Sequence, residues 1–274
     1  MNRSPKILVF DSGLGGLTVF RALAAQRPDA DYVYAADDLG FPYGPKGEDE
    51  VTALVLAAME RLIADHAPDC VVIACNTAST LVLPHLRTGW PEMPFVGTVP
   101  AIKPAAEGSH SRLISVLATP GTVARDYTRD LIEKFAGHCE VTLVGSQKLA
   151  GLAEVYMQGE SVADADIAAE ITPCFVEHDG RRTDSVVLAC THYPLLLDSF
   201  KRLAPWPVRW IDPAPAIARR ADHVLSERFP SHEIRDAAFD FVFTSGAAPA
   251  PRLLKTLDVL RRSIALAARP RASA

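Results

Sequence analysis

Short apolar runs alternate with longer amphipathic stretches along most of this chain. Lys6-Ile7-Leu8-Val9-Phe10 is the first run, and segments 31–36, 112–118, 141–144, 208–212 and 239–244 are similar. Runs so short, apolar throughout and rich in β-branched residues, predict strands buried on both faces of a parallel sheet. Between them the apolar residues fall at helical spacing. In segment 48–66, Val51, Leu54, Val55, Ala58, Met59 and Leu62 share one face and the charges lie elsewhere. Further helices are predicted over 17–26, 77–86, 123–135, 149–157, 163–178, 195–203, 213–229 and 252–267, with a frayed tail at 269–274. Strands that alternate with helices in this way give an α/β class with parallel sheets.

One stretch occurs twice. Asp69-Cys70-Val71-Val72-Ile73-Ala74-Cys75-Asn76-Thr77 returns, offset by 115 residues, as Asp184-Ser185-Val186-Val187-Leu188-Ala189-Cys190-Thr191-His192. Each copy reads as a buried strand that ends in Ala-Cys and gives way to small polar residues. Ligands of open parallel sheets bind just beyond the carboxyl ends of strands, so Cys75 and Cys190 both stand where chemistry is placed. The repeat extends further. Strand 112–118, Thr119-Pro120-Gly121-Thr122 and the next helix parallel strand 6–10, its glycine-rich turn and helix 17–26. The expectation is two pseudo-symmetric parallel-sheet α/β domains with the active site in the cleft between them. Pro84, Pro91, Pro94, Pro100 and Pro104 mark the crossing near Gly97. The last strands and helices are expected to return, so residues 1–97 plus 210–274 form the first domain and 98–209 the second.

Composition narrows the chemistry. With 274 residues, 49% of them apolar, the chain can bury a large core. Its net charge is −5, and no basic patch is interleaved with aromatics, which disfavours nucleic acid. Neither a signal-peptide apolar region nor a run of membrane-spanning length is present, so a cytoplasmic protein without membrane association is expected. Five cysteines, an odd number without a secretory signal or a Cys-x-x-Cys, argue against a disulfide framework. Cys75, Cys190 and His192 lack the usual spacing of zinc ligands, and no metal is expected. Cys70, Cys139 and Cys174 read as small buried hydrophobes.

The turn Asp11-Ser12-Gly13-Leu14-Gly15-Gly16-Leu17-Thr18 is not the dinucleotide fingerprint, so no NAD is inferred. The turn alone reads first as a tight strand-to-helix connection, since glycines are common there, and Asp11 and Ser12 at the strand end raise the other reading, an anion site at a helix N-terminus. Loop 37–46, rich in Gly and Pro, either covers a site, with Tyr43 and Gly44 offering backbone or phenolic hydrogen bonds to a ligand, or is ordinary surface. Asp37, Asp38, Asp69 and Asp184 read as structural or solvated. Two opposed thiols suit inversion at one carbon: a thiolate removes a proton from one face while a thiol supplies one to the other. A free thiol is only about 3% ionised at pH 7, so the site must promote one thiolate at a time. The helix N-termini that follow both cysteines, and Asp11 and His192, can assist. Ser12, Asn76, Thr77, Thr191 and backbone N–H groups can stabilise charge on a substrate carboxylate.

These residues resemble the glutamate racemases of the aspartate/glutamate racemase family. The motifs that carry the resemblance are Phe10-Asp11-Ser12-Gly13-Leu14-Gly15-Gly16-Leu17-Thr18-Val19, Pro42-Tyr43-Gly44, Ala74-Cys75-Asn76-Thr77-Ala78, Leu117-Ala118-Thr119-Pro120-Gly121-Thr122, Ala189-Cys190-Thr191-His192-Tyr193-Pro194, Ile211-Asp212 and Thr244-Ser245-Gly246. The resemblance implies a cofactor-independent cytoplasmic homodimer that supplies D-glutamate for peptidoglycan. It implies that Cys75 takes the α-proton of D-glutamate and Cys190 that of L-glutamate, with Asp11 and His192 assisting. It places Asp11, Ser12, Tyr43, Gly44, Asn76, Thr77, Thr191 and His192 around the substrate. Where many members have Pro-Leu-Val-Glu, this chain has Gly151-Leu152-Ala153-Glu154, which implies a proton-transfer role for Glu154. The competing readings are an aspartate or related amino-acid racemase of the same superfamily, a non-catalytic small-anion binder, and a thiol redox protein. The two matching thiols disfavour a hydantoin racemase or a single-cysteine decarboxylase.

Overall fold

The computed structural model describes residues 3–230, 238–249, 251, 253 and 254. The chain opens with β1 (Lys6–Asp11), α1 (Leu17–Gln26), β2 (Asp31–Ala36), α2 (Glu48–His66), β3 (Cys70–Ile73), α3 (Asn76–Gly89) and β4 (Phe95–Gly97). It continues through α4 (Ile102–Gly108), β5 (Leu113–Ala118), α5 (Pro120–Ala124), α6 (Asp126–Ala136), β6 (Glu140–Gly145), α7 (Leu149–Met157) and α8 (Asp164–Ile171). A hairpin of β7 (Glu177–His178) and β8 (Arg181–Arg182) leads to β9 (Ser185–Ala189), α9 (Leu197–Leu203), β10 (Arg209–Ile211), α10 (Ala214–Ser226) and β11 (Phe239–Phe243). The helix expected over 252–267 lies outside the described residues apart from Leu253 and Leu254, and so does the tail at 269–274.

Two parallel sheets result, one ordered β11-β2-β1-β3-β4 and the other β10-β9-β5-β6. The repeat explains the order. β1 lies between β2 and β3 in the first sheet, as β5 lies between β6 and β9 in the second. Phe10 pairs with Ile73 and Leu117 with Leu188, so the two cysteine strands hold the same register against their neighbours. The expected α/β architecture is therefore present, with β11 as an extra edge strand beside β2.

Both faces of each sheet are covered, as parallel strands require. Ile7 and Val9 pack toward α1 and α10, while Leu8 and Phe10 pack toward α2 and α3. In the second sheet Ile114 and Val116 meet α4 and α6, and Leu117, Val186 and Leu188 meet α7, α8 and α9. Cys70 and Cys174 are buried in these cores, and burial pushes each thiol up to about 12; Cys139 is half-buried. The repeated aspartates act alike. Asp69 accepts the Lys6 N–H at 2.9 Å, and Asp184 accepts those of His110 and Ser111 at 2.7 and 2.8 Å. Each ties its own strand to the start of the adjacent strand.

Several expected elements differ. The helix expected over 163–178 ends at Ile171, because Pro173 cannot continue the hydrogen-bond ladder, and a 3₁₀ turn at Thr172–Cys174 follows. The hairpin after it turns at Asp179-Gly180, both with positive φ (51° and 71°), the pairing that a tight two-residue hairpin favours. The helix expected over 123–135 starts earlier, at Pro120, and breaks at the extended Arg125. The proline-rich crossing contains β4 and α4. β10 pairs with β9, so the return to the first sheet falls after Ile211 rather than between residues 209 and 210 as expected. Among the described residues, no helix is long and apolar enough to cross a membrane.

α10 is anchored by a charged side chain inside the core. The fully buried Arg27 makes two hydrogen bonds to Asp29, at 2.9 and 2.7 Å, and a third to the Phe229 carbonyl at 3.0 Å. It also pairs with Asp222 of α10 at 3.4 Å. Arg27→Ala strands Asp29 in the interior, and guanidinium denaturation should show a loss of about 3–5 kcal/mol of stability.

Candidate active site

The carboxyl ends of β1, β3, β5 and β9 face one another across a cavity of about 520 Å³. Ser12, Tyr43, Gly44, Cys75, Asn76 and Thr77 line it from the first sheet's side. Thr119, Ser146, Gln147, Ala150, Gly151, Cys190, Thr191 and His192 line it from the other. The equivalent strand ends thus bring both cysteines to one cavity.

Their surroundings differ. Cys75 is the N-cap of α3 and is 5% exposed, with its S–H directed at Ser12 Oγ 3.7 Å away. Burial pushes the Cys75 thiol up to about 12, with the Asp11 charge adding to it; the Ala78 N–H and Ser12 pull the other way. Cys190 does not lead directly into an α-helix as Cys75 does. The 3₁₀ turn Tyr193–Leu196 intervenes before α9. Instead its Sγ lies 3.8 Å from His192 Nδ1. The other ring nitrogen, Nε2, is 2.7 Å from Glu154 Oε1. Burial alone would strip the proton from His192, but its contacts with Cys190 and Glu154 prevail and raise its pKa well above 6.5. Those contacts favour the charged form of the ring, which stands between Cys190 Sγ on one side and Glu154 Oε1 on the other.

Glu154 reaches Cys190 through His192. It lines a separate cavity of about 810 Å³ on the far side of the ring. Its Oε1 also accepts the Leu14 N–H at 2.6 Å, which explains the glycine-rich turn. A Cβ on Gly13 would run into Glu154 Oε1, and one on Gly15 would lie 2.5 Å from His192 Nδ1. The glycines clear space for side chains from the other half of the chain, and of this turn only Ser12 lines the cavity between the cysteines.

Asp11 is fully buried beneath that cavity. Its carboxylate accepts the Gly13 N–H at 3.0 Å and the Thr191 hydroxyl at 3.0 Å, so it ties the turn to the second cysteine loop. Burial raises its pKa, and the His192 charge opposes that shift. Asn76 is the reverse case: neither atom of its buried amide has a hydrogen-bond partner in the protein, as befits a group awaiting a polar ligand. The hydroxyls of Thr77, Thr119 and Thr122 lie 3.0–3.3 Å apart and bridge the two halves. The Tyr43 hydroxyl does not offer itself to a ligand. It donates to Asp37 at 2.5 Å, which leaves the ring and backbone of Tyr43 to face the cavity.

Thr119, Ser146 and Gln147 were not expected in the site. For Thr119 the repeat holds the signal: it follows β5 as Ser12 follows β1, in the same register. Among the described residues, no group of three or more His, Cys, Asp or Glu is arranged to hold a metal ion.

The sequence pattern of the Asp/Glu/Hydantoin racemase family matches residues 17–221. The glutamate racemase of Agrobacterium fabrum is 56% identical over 241 residues, 88% of either chain. Escherichia coli glutamate racemase, solved in complex with L-glutamate and the activator UDP-MurNAc-Ala, is 38% identical. It superposes with a TM-score of 0.85 over 94% of this chain and 95% of that one. Glutamate racemase from Campylobacter jejuni, 26% identical, gives a TM-score of 0.72 over 94% and 98%.

Folding raises the His192 pKa, so the charged ring stabilises the fold fully below its ordinary 6.5, and that contribution fades as pH rises through the higher folded value. A ¹⁵N NMR titration should place the His192 midpoint above 6.5 and move it down in Glu154→Gln, which keeps the shape and removes the charge.

Proposed function

The chain belongs to the Asp/Glu/hydantoin racemase family, and on that premise we propose that it is a glutamate racemase working by two-base proton transfer between Cys75 and Cys190. The observation that carries the mechanism is the pair of thiols at equivalent strand ends, lining one cavity with unlike partners. In the L-to-D direction, Cys190, as the thiolate beside imidazolium His192, takes the α-proton of L-glutamate. The flattened carbanion then receives a proton from the Cys75 S–H on its opposite face. Burial suits Cys75 to that part, since it keeps the thiol protonated until the substrate is in place. From D-glutamate the roles reverse: Cys75 takes the proton and Cys190 returns one.

The α-proton is very weakly acidic, so charge building toward the substrate carboxylate must be met by preorganised donors. The unpartnered Asn76 amide supports that assignment, with Ser12, Thr77, Thr191 and the backbone N–H groups of Tyr43 and Gly44 beside it. His192 assists Cys190 directly. Asp11 and Glu154 act at one remove, Asp11 through Thr191 and the turn, Glu154 through His192. D-glutamate made this way would feed peptidoglycan synthesis. Cytoplasmic placement and a homodimeric state are carried over from the resemblance as part of the same proposal.

Metal-stripped protein given no cofactor should carry L-glutamate to zero rotation and leave L-aspartate unchanged. Cys75→Ala and Cys190→Ala should each slow racemisation in both directions by roughly 10²–10⁴-fold, the range for a lost general acid or base, while D-glutamate still binds by calorimetry. Activity on aspartate instead would move the substrate, and full activity in either variant would remove the two-base mechanism.

A further inference from the structure

Thr244-Ser245-Gly246 lies at the end of β11, and its residues are absent from the cavity lining. Its side chains reach the loop that closes the cavity. The Thr244 hydroxyl donates to Asp37 Oδ1 at 2.6 Å, and Ser245 binds Asp38 through its N–H at 3.0 Å and its hydroxyl at 2.6 Å. The other oxygen of Asp37 takes the Tyr43 hydroxyl at 2.5 Å. Asp37 and Tyr43 are both buried. One carboxylate therefore clamps two hydroxyls, one from the cavity-lining loop and one from a strand end 207 residues away in sequence.

We propose that Asp37 and Thr244 are positioning residues for racemisation, forming a latch that holds Tyr43 and Gly44 against the substrate. The loop is wound tightly around this carboxylate. The N–H groups of Gly40 and Phe41 return to the Asp37 carbonyl at 3.1 and 3.0 Å, and a Cβ on Gly40 would strike Asp37 Oδ2. The Asp37 N–H donates to the Asp11 carbonyl at 2.8 Å, which fixes the carboxylate at the end of β1, beside the site. Because the Tyr43 hydroxyl is spent on Asp37, what the loop offers a ligand is backbone N–H groups, and their aim depends on the loop's path. Loss of one of the two hydroxyl donors leaves an oxygen of the buried carboxylate unsatisfied and removes one of the two tethers on its orientation, which loosens its hold on the other hydroxyl. The latch acts on substrate affinity and leaves the proton-transfer residues untouched.

This inference rests on the glutamate racemase reading, so the wild-type rate reports on that reading, and the ratio of each variant to wild type reports on the latch. Thr244→Val, Tyr43→Phe and the double variant should be compared with Thr244→Ser, in both directions. Thr244→Val and Tyr43→Phe should each raise KM about tenfold, as expected for loss of a hydrogen bond to a charged group, with kcat within about threefold. The double variant should rise no more than about twofold beyond the worse single variant, because both break one latch, and Thr244→Ser should stay near wild type. KM within about twofold of wild type in Thr244→Val, multiplied effects in the double variant, or equal damage from Thr244→Ser would overturn the proposal.

Discussion

Glu154 Oε1 accepts both the Leu14 amide and the His192 ring, and this shared oxygen is the constraint around which the site is assembled. Leu14 belongs to the turn after β1, whereas Glu154 lies on α7 and His192 follows β9. For one carboxylate oxygen to reach both, the backbone of the turn must pass close beside the histidine ring. Gly13 and Gly15 make that approach possible. Together with the contact to Cys190, the same contact favours the charged form of His192. The meeting of the two halves, the glycines and the ionisation of the second thiol's partner are thus one arrangement.

The repeat supplies two equivalent strand ends, and its divergence supplies two unlike bases. In matched register Asp11 corresponds to Ala118, and Thr77 to His192. One half keeps a carboxylate beneath the floor and caps α3 with its cysteine; the other sets a histidine ring beside its cysteine. Asp11 crosses between the halves by taking the Thr191 hydroxyl, and Thr77 crosses in the opposite sense to Thr119 and Thr122.

Much of this was legible in the sequence because a repeat carries its own register. The duplicated run around Cys75 and Cys190 placed both thiols at parallel strand ends, and alternating runs gave the sheet class. Local signals also mark the hairpin, where Asp179-Gly180 makes a tight turn, and the end of α8 before Pro173. What could not be read is contact at a distance. The glycine-rich turn reads equally as a tight connection or an anion cradle because the side chains that require its glycines come from the other half of the chain. Tyr43 resembled a phenolic ligand contact because nothing nearby in sequence shows that Asp37 takes its hydroxyl and that Thr244 holds Asp37. Thr119 was within reach, since the repeat that paired the cysteines also pairs it with Ser12.

The central claim is that two different cysteines serve the two faces of one carbon, and early solvent labelling tests it most directly. One enantiomer of glutamate is incubated in deuterium oxide, the reaction is stopped after a few per cent of conversion, and the enantiomers are separated before the α-hydrogen of each is read by mass spectrometry. Two bases in exchange with solvent before substrate binds predict deuterium in nearly every product molecule and almost none in the recovered substrate, starting from either enantiomer. A product that keeps its original α-hydrogen, or deuterium entering both pools at equal rates from the start, would mean a single base serving both faces and would contradict the account.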